Sequence, residues 1–386
     1  MPRLNVLISG AGIAGCTLAY WLARYGHSVT VVERSGAPRS SRAPVDVRGP
    51  AAQVAERMNI VPRLREARTH VAGMTFIDRA GRRSAHVDLE ALRRSIAPQD
   101  IELPRGDLST ILFEASRDSA EFLFGDSITS LTQDEARGVD AEFERTSQRS
   151  FDLVIGADGL HSKVRRLAFG SESRFVRHAG LYVATLPLPR SIDPGREIIM
   201  LNAPGKSVTL HPSRESPLAA LIFWKPGIDG FDYSDSEQHK RILETTYAGV
   251  GWKVPDVLAS ARASNDLYFD SVSRVEMATW AQGRVALLGD ASACVSLLGD
   301  GSTLAIAGAY TLATAVAENL TDHGAAFRQY QAQHGKLVAP KQRSVTLLAS
   351  LIVPRTQFAI SLRNRALGIL TAYAAARRFG WRLHLR

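Results

Sequence analysis

The chain has 386 residues, 45% of them hydrophobic, and a formal net charge of +9. That is ample for one large core or two domains; Cys16 and Cys294, its only cysteines, give neither a disulfide framework nor zinc spacing, so no metal centre is expected and a reducing, cytoplasmic setting is. The Arg residues that dominate the charge are scattered and not interleaved with aromatics, which argues against nucleic acid, and no run of about 20 apolar residues offers stable membrane insertion; a small-molecule partner and a monomer or homodimer are expected.

The first thirty-odd residues carry the strongest pattern. Asn5-Val6-Leu7-Ile8-Ser9 predicts a buried strand, Gly10-Ala11-Gly12-Ile13-Ala14-Gly15 a glycine turn, and Leu18, Ala19, Leu22 and Ala23 the apolar face of a helix closed by Tyr25-Gly26-His27. Ser28 to Glu33 then reads as a second strand. Gly10 suits the tight turn, Gly12 a close backbone approach to a pyrophosphate, and Gly15 close helix–strand packing, with Ala14 between the last two. The helix N-terminus offers N–H groups and partial positive charge to phosphates. Glu33 at the strand tip suits ribose hydroxyls and disfavours a 2′-phosphate, so the site fits NAD or FAD rather than NADP. Ile13-Ala14-Gly15-Cys16 superficially matches a lipoprotein cleavage box, but the preceding apolar run is short and the strand–turn–helix reading explains the same residues better.

Arg34 opens a loop that reaches Arg42. Pro44-Val45-Asp46-Val47-Arg48-Gly49-Pro50 leads into a helix over Ala51 to Met58, and Asp46 and Arg48 are expected near the cofactor. Residues 73–88 predict a hairpin. Asp107 suits an N-cap or first helical turn, and Arg105 just upstream aims at a phosphate or flavin edge or is a surface residue. Short strands follow at 121–124, 127–131 and 141–143. Asp152 to Gly156 predicts a buried strand, Ala157-Asp158-Gly159 a turn carrying an acid, and Ser162 the cap of the next helix.

From about 172 to 265 the chain changes character. Strands at 181–186, 197–201, 207–211 and 218–224, with one helix over Glu237 to Tyr247, predict a sheet with little helix that forms a second domain. Its inward face supplies the substrate candidates Tyr182, Met200, His211, Phe223 and Trp224, for each of which plain core packing is the alternative. A strand ending at Gly289-Asp290 follows, then Leu298-Gly299-Asp300-Gly301-Ser302-Thr303 opens a small-residue helix over Leu304 to Leu320. From Ala339 to Arg386 the chain reads as mostly helical, lying across both domains, with a membrane-surface role as the alternative.

The three motifs together, the glycine turn at Gly10 to Gly15, Asp158-Gly159 and Gly289-Asp290 before a long helix, resemble the class A FAD-dependent aromatic hydroxylases and monooxygenases. Asp46-Val47-Arg48-Gly49 and Arg105-Gly106-Asp107-Leu108 look most similar to the tetracycline-inactivating monooxygenases and the tailoring enzymes of natural-product pathways. The resemblance implies an α/β fold: a Rossmann-like FAD-binding domain of the glutathione-reductase and hydroxybenzoate-hydroxylase type, with an inserted mixed β-sheet substrate domain and a C-terminal bridging helix. The segments would be 1–72, 101–171 and 266–330 for FAD, 73–100 and 172–265 for substrate, and 331–386 for the helical end.

It also implies cofactor contacts from Gly10, Gly12, Ala14, Gly15, Glu33, Arg34, Asp46, Arg48 and Arg105, with Asp158 at the nicotinamide passage, Asp290 on the ribityl chain and Gly301, Ser302 and Thr303 facing the flavin pyrimidine. The activity implied is hydroxylation of a polycyclic, phenolic or polyketide-type molecule with NADPH or NADH and O2, through a C4a-hydroperoxyflavin. No side-chain nucleophile stands out; Asp300 and Arg48 are the only catalytic candidates. The 291–303 stretch departs from the family pattern: it lacks the usual proline, and Asp300 adds an acid where reduced flavin favours donors. That departure motivates the alternative of a flavin-bound, redox-neutral cyclase or isomerase.

Overall fold

The computed structural model describes residues 3–37, 43–96, 99–134, 137–294 and 300–369. The altered loop at 295–298, Gly299, most of the loop up to Arg42 and the tail beyond Ile369 lie outside the described residues. The chain divides into two units: residues 1–68, 99–177 and 273–345, and residues 69–98, 178–272 and 346–386. The expected C-terminal segment is therefore not a separate body, because its residues through Val345 group with the first unit and those from Thr346 with the second.

The sheet of the first unit forms where the sequence is most continuously apolar. Its strand order is 281–282, 285–287, 153–156, 5–9, 28–33 and 121–124; all neighbours are parallel except the antiparallel edge pair 281–282 and 285–287. Val6, Leu7, Ile8, Val31, Val154 and Val285 are completely enclosed, as expected of parallel strands covered on both faces. Helix Ile13–Arg24 ends as its sequence dictates: Gly26 takes φ +89°, and the amides of Gly26 and His27 donate to Ala23 O and Leu22 O. It packs on helix Asp300–Glu318, with the Trp21 and Tyr310 rings edge-on at 4.8 Å.

That second helix begins earlier than its apolar pattern suggested, already at Asp300. Its Gly308 is required by a neighbour: a methyl there would come within 2.7 Å of His334 Nε2 on helix His323–Ile352. The latter helix begins well ahead of Ala339 and runs through Pro340. After a 95° bend a further helix, Gln357–Ile369, follows; among the described residues no single helix is long and apolar enough to cross a membrane.

The second unit holds a seven-stranded sheet in the order 268–275, 176–187, 218–224, 206–211, 197–203, 73–77 and 83–88; from 176–187 onward the neighbours are antiparallel except for the parallel pair 197–203 and 73–77. The expectation of little helix is corrected here. Helices Ser236–Tyr247 and Val254–Ala263 cover one face, and Leu243, Tyr247, Val254 and Val257 pack into Ala184, Leu186, Val208, Leu210 and Leu221. The strand over 268–275 and helix Val254–Ala263 were not expected, although Val254, Val257, Leu258 and Ala261 recur at helical spacing.

Burial drives the His334 imidazole down from its ordinary 6.5 to about 4. Below pH 6.5 the unfolded chain takes up a proton that the folded chain refuses until about pH 4, so this residue's contribution to stability, full above 6.5, is lost as pH falls across that window, by about 3 kcal/mol. Urea unfolding of His334→Gln should show a shallower loss of stability across the same window than the parent; an identical slope would assign the acid sensitivity elsewhere.

Candidate functional site

The carboxyl ends of strands 5–9, 153–156 and 285–287 lie side by side, and the turn after each carries one of the three motifs. Gly10 takes φ +103°, and a methyl on it would sit 2.6 Å from Ala157 O. At Gly15 a methyl would sit 1.9 Å from Gly10 O, so only glycine lets the helix begin this close to the strand end. Gly12 differs from both. It is the N-cap of helix Ile13–Arg24, has no side-chain cap, and a methyl there would meet nothing within 4 Å. The first-turn amides therefore open onto space beside a partial positive charge, with no acid in that turn.

The third strand end closes on the same place. Gly289 takes φ +64°, and a methyl on it would lie 3.1 Å from the Ala14 methyl carbon. Asp290 then opens the short helix Asp290–Ala293, and its carboxylate faces Gly301, where a methyl would lie 3.9 Å from Asp290 Oδ1. Burial raises the Asp290 carboxyl above the ordinary range, and the Arg105 charge opposes that rise. Arg105 itself is exposed at the start of helix Arg105–Ser116, its amide donating to Ala43 O. These residues, from four separate stretches of chain, converge on one end of the sheet.

Glu33 stands at the tip of the next strand. Its Oε2 accepts from the Ala11 amide and its Oε1 from Ser35, both at 2.9 Å. Each oxygen keeps a further lone pair, so ribose hydroxyls can still donate to it. Arg34 is exposed beside it, and Ala14 is buried in the helix start.

Asp46 and Arg48 lie on and just past strand Pro44–Val47, and pair with each other at 2.7 Å. The hydroxyls of Ser302 and Thr303 donate to Asp46 O at 2.6 and 3.0 Å, and the Arg48 amide donates to Thr303 Oγ1 at 3.3 Å. These two hydroxyls thus fasten the helix start to the Asp46 strand, leaving backbone amides to face a flavin. Asp300 is buried and ion-paired: Lys341 Nζ lies 3.1 Å away and Arg48 Nη2 3.8 Å. The acid that departs from the family pattern is therefore charge-balanced. Lys341 had no sequence signal, since it reaches the site from a helix whose sequence reads as interrupted at Pro340.

Asp158, expected at the nicotinamide passage, stands in the turn that starts a helix. Its oxygens accept from the Ser162 hydroxyl and the amides of Lys163 and Val164, so the carboxylate caps helix Lys163–Phe169. Burial raises its pKa against those bonds. The neighbouring Arg165, completely enclosed, was missed as a functional residue. Its Nη1 donates to Ala291 O at 3.0 Å, and its Nη2 donates to Leu160 O at 2.5 Å and meets Glu172 at 3.4 Å. It braces the residue that follows Asp290.

For the substrate candidates, core packing is the alternative already named, and it describes Tyr182, Phe223 and Met200. Tyr182 and Phe223 are core residues under the two helices of the second unit, and Tyr182 Oη accepts from the Ile228 amide. Met200 packs with Phe76, Ile352 and Leu367. Trp224 donates to Val353 O, and the Arg355 guanidinium lies 3.8 Å over its ring. His211 is half-buried at the end of its strand.

The FAD binding domain family matches residues 3–338. The chain belongs to the FAD-dependent monooxygenases. An uncharacterized protein of Mycobacterium tuberculosis is 40% identical over 337 residues, covering 86% of this chain and 90% of the relative. A flavin-dependent monooxygenase of Legionella longbeachae is 32% identical over 344 residues, covering 88% and 87%. The crystal structure of the tetracycline destructase Tet(55) is 30% identical, covers 95% of this chain and 96% of its own, and superposes with a TM-score of 0.84.

The flavoenzyme's residues fit the cofactor. The open backbone at Gly12 suits the pyrophosphate, Glu33 the adenosine ribose, and Asp290 with the helix start at Gly301 the flavin half. Gly12→Val should therefore fold with a melting temperature close to the parent yet retain little FAD, whereas Gly15→Val should fail to accumulate as folded protein. Flavin absorbance and thermal melting of both variants check this; FAD retained by Gly12→Val would remove the pyrophosphate from that turn.

Proposed function

We propose that this monooxygenase oxygenates a polycyclic, phenolic or polyketide-type small molecule, taking electrons from NADH or NADPH. The observation that carries the redox reading is the pairing of Asp300 with Lys341 and Arg48. An unpaired acid beside the flavin pyrimidine would oppose negative charge on reduced flavin; a paired one does not. The motive for a redox-neutral cyclase is thereby weakened. The substrate class rests on the likeness to a tetracycline destructase over nearly the full length of both chains.

FAD, when bound, supplies hydride acceptance from the nicotinamide and transfer of one oxygen atom from O2. The chain's own groups bind and orient. Amides after Gly12 would hold the pyrophosphate, Glu33 the ribose, and Asp290 the ribityl hydroxyls, while Arg105 lies close enough to Asp290 to offset its charge. Amides at Gly301 to Thr303, at the start of a long helix, would offer donors and partial positive charge to the flavin half. Lys341 keeps Asp300 from cancelling that field, and Arg165 fixes the Asp290–Ala291 turn. No side-chain nucleophile is required.

Incubation of the FAD-loaded protein with NADH or NADPH and a panel of tetracyclines and other polycyclic phenols should give substrate-stimulated nicotinamide oxidation, matching oxygen uptake, and a product heavier by one oxygen. Product formed without oxygen or nicotinamide would overturn the proposal in favour of redox-neutral chemistry, and a panel that gives no turnover would remove this substrate class.

A further inference from the structure

Two acids and two cations stand together at the start of helix Asp300–Glu318, all four within the first unit. Asp300 opens that helix, and Asp46 lies on the strand to which Ser302 and Thr303 fasten it. The two cations divide between the acids. Arg48 Nη2 is 2.7 Å from Asp46 Oδ2 but 3.8 Å from Asp300 Oδ1, beyond hydrogen-bond reach, so the guanidinium is held mainly by Asp46. Lys341 Nζ lies 3.2 and 3.1 Å from the two oxygens of Asp300 and straddles the carboxylate. The Asp300 side chain is 11% exposed and that of Lys341 46%. The lysine keeps much of its hydration while it neutralises an acid that has lost most of its own.

An acid in a first helical turn is stabilising by itself, because it complements the helix N-terminus. That leaves Lys341 unaccounted for. It comes from a different helix, directly after Pro340, and its removal would leave an enclosed carboxylate with its charge unmatched. The next residue after Asp300 faces the site already described: a methyl on Gly301 would lie 3.9 Å from Asp290 Oδ1. Asp300 therefore borders the segment that meets the flavin half. With both pairs intact the four charges sum to zero; without Lys341 one negative charge is left over.

We propose that Lys341 is a positioning residue for flavin reduction: by neutralising Asp300 it sets the reduction potential of bound FAD. This rests on the reading that the turn at Gly301 faces the flavin. Reduced flavin gains negative charge, so an unmatched acid near it favours the oxidised form. Water screens the half-exposed lysine's own field, so its effect passes through Asp300.

The test is a double-variant cycle on FAD-loaded protein, with midpoint potentials read by anaerobic dye-linked titration. No nicotinamide, oxygen or organic substrate is needed, so the proposed oxygenation can fail while this inference stands, and the reverse. Lys341→Met should shift the equilibrium about tenfold toward oxidised FAD, a fall of about 30 mV for a two-electron couple. Lys341→Arg should keep the parent potential. In the Asp300→Asn background, Lys341→Met should change the equilibrium less than about twofold, because no acid is left to neutralise. Should Lys341→Met fail to hold FAD, Lys341→Gln, which still donates a hydrogen bond, should show the same fall. A potential unchanged by loss of the lysine charge would overturn the proposal and leave the ion pair a structural one. An equal fall in the Asp300→Asn background would overturn it too, since the lysine would then act on the flavin directly.

Discussion

The whole site depends on one steric fact, the absence of a side chain at Gly15. With a methyl there only 1.9 Å from Gly10 O, the first helix could not start against the end of its own strand. Because it does, the uncapped first-turn amides open directly over the carboxyl ends of the parallel strands. This is the place where α/β sheets bind ligands. The same closeness recurs next door, where Gly10 abuts Ala157 O and Gly289 abuts the Ala14 methyl. The turns are packed closely at Gly10, Gly15 and Gly289, whereas a methyl at Gly12 would meet nothing within 4 Å.

Charge around that space is arranged in pairs. Asp46 is matched by Arg48, Asp300 by Lys341 and Arg48, and Arg165 by Glu172. Burial pulls the Arg165 guanidinium down and would raise Glu172, but the His161 hydrogen bond and the charges of His161, Arg165 and Arg166 hold Glu172 below its usual range. A completely enclosed cation of this kind is costly unless paired and hydrogen-bonded, and Arg165 is both. Its Ala291 bond carries rigidity from the Asp158 turn to the Asp290 turn, which gives the second motif a supporting role.

What was legible in the sequence followed from how local each signal is. The glycine turn, its flanking strands and Glu33 lie within thirty residues and show their spacing directly. Asp290 and the helix after it were legible for the same reason. The contributions that escaped notice are nonlocal. Lys341 reaches Asp300 from a helix that a proline disguises, and Ser302 and Thr303 turn their hydroxyls to a strand some 250 residues earlier in the chain. In the second unit, Tyr182 and Phe223 stood as substrate candidates with core packing as the alternative, but their strands could not say that helices Ser236–Tyr247 and Val254–Ala263 would cover their face. Period two gives the sides of a sheet without naming which side is core.

The central claim is that backbone amides at Gly12 and Gly301, with Glu33 and Asp290, form a single FAD site. Its most direct measurement is titration of the flavin-free protein with FAD, followed by quenching of flavin fluorescence. The account predicts saturation at one FAD per chain with a dissociation constant of about micromolar or tighter. A protein that leaves flavin fluorescence unchanged at those concentrations would contradict it.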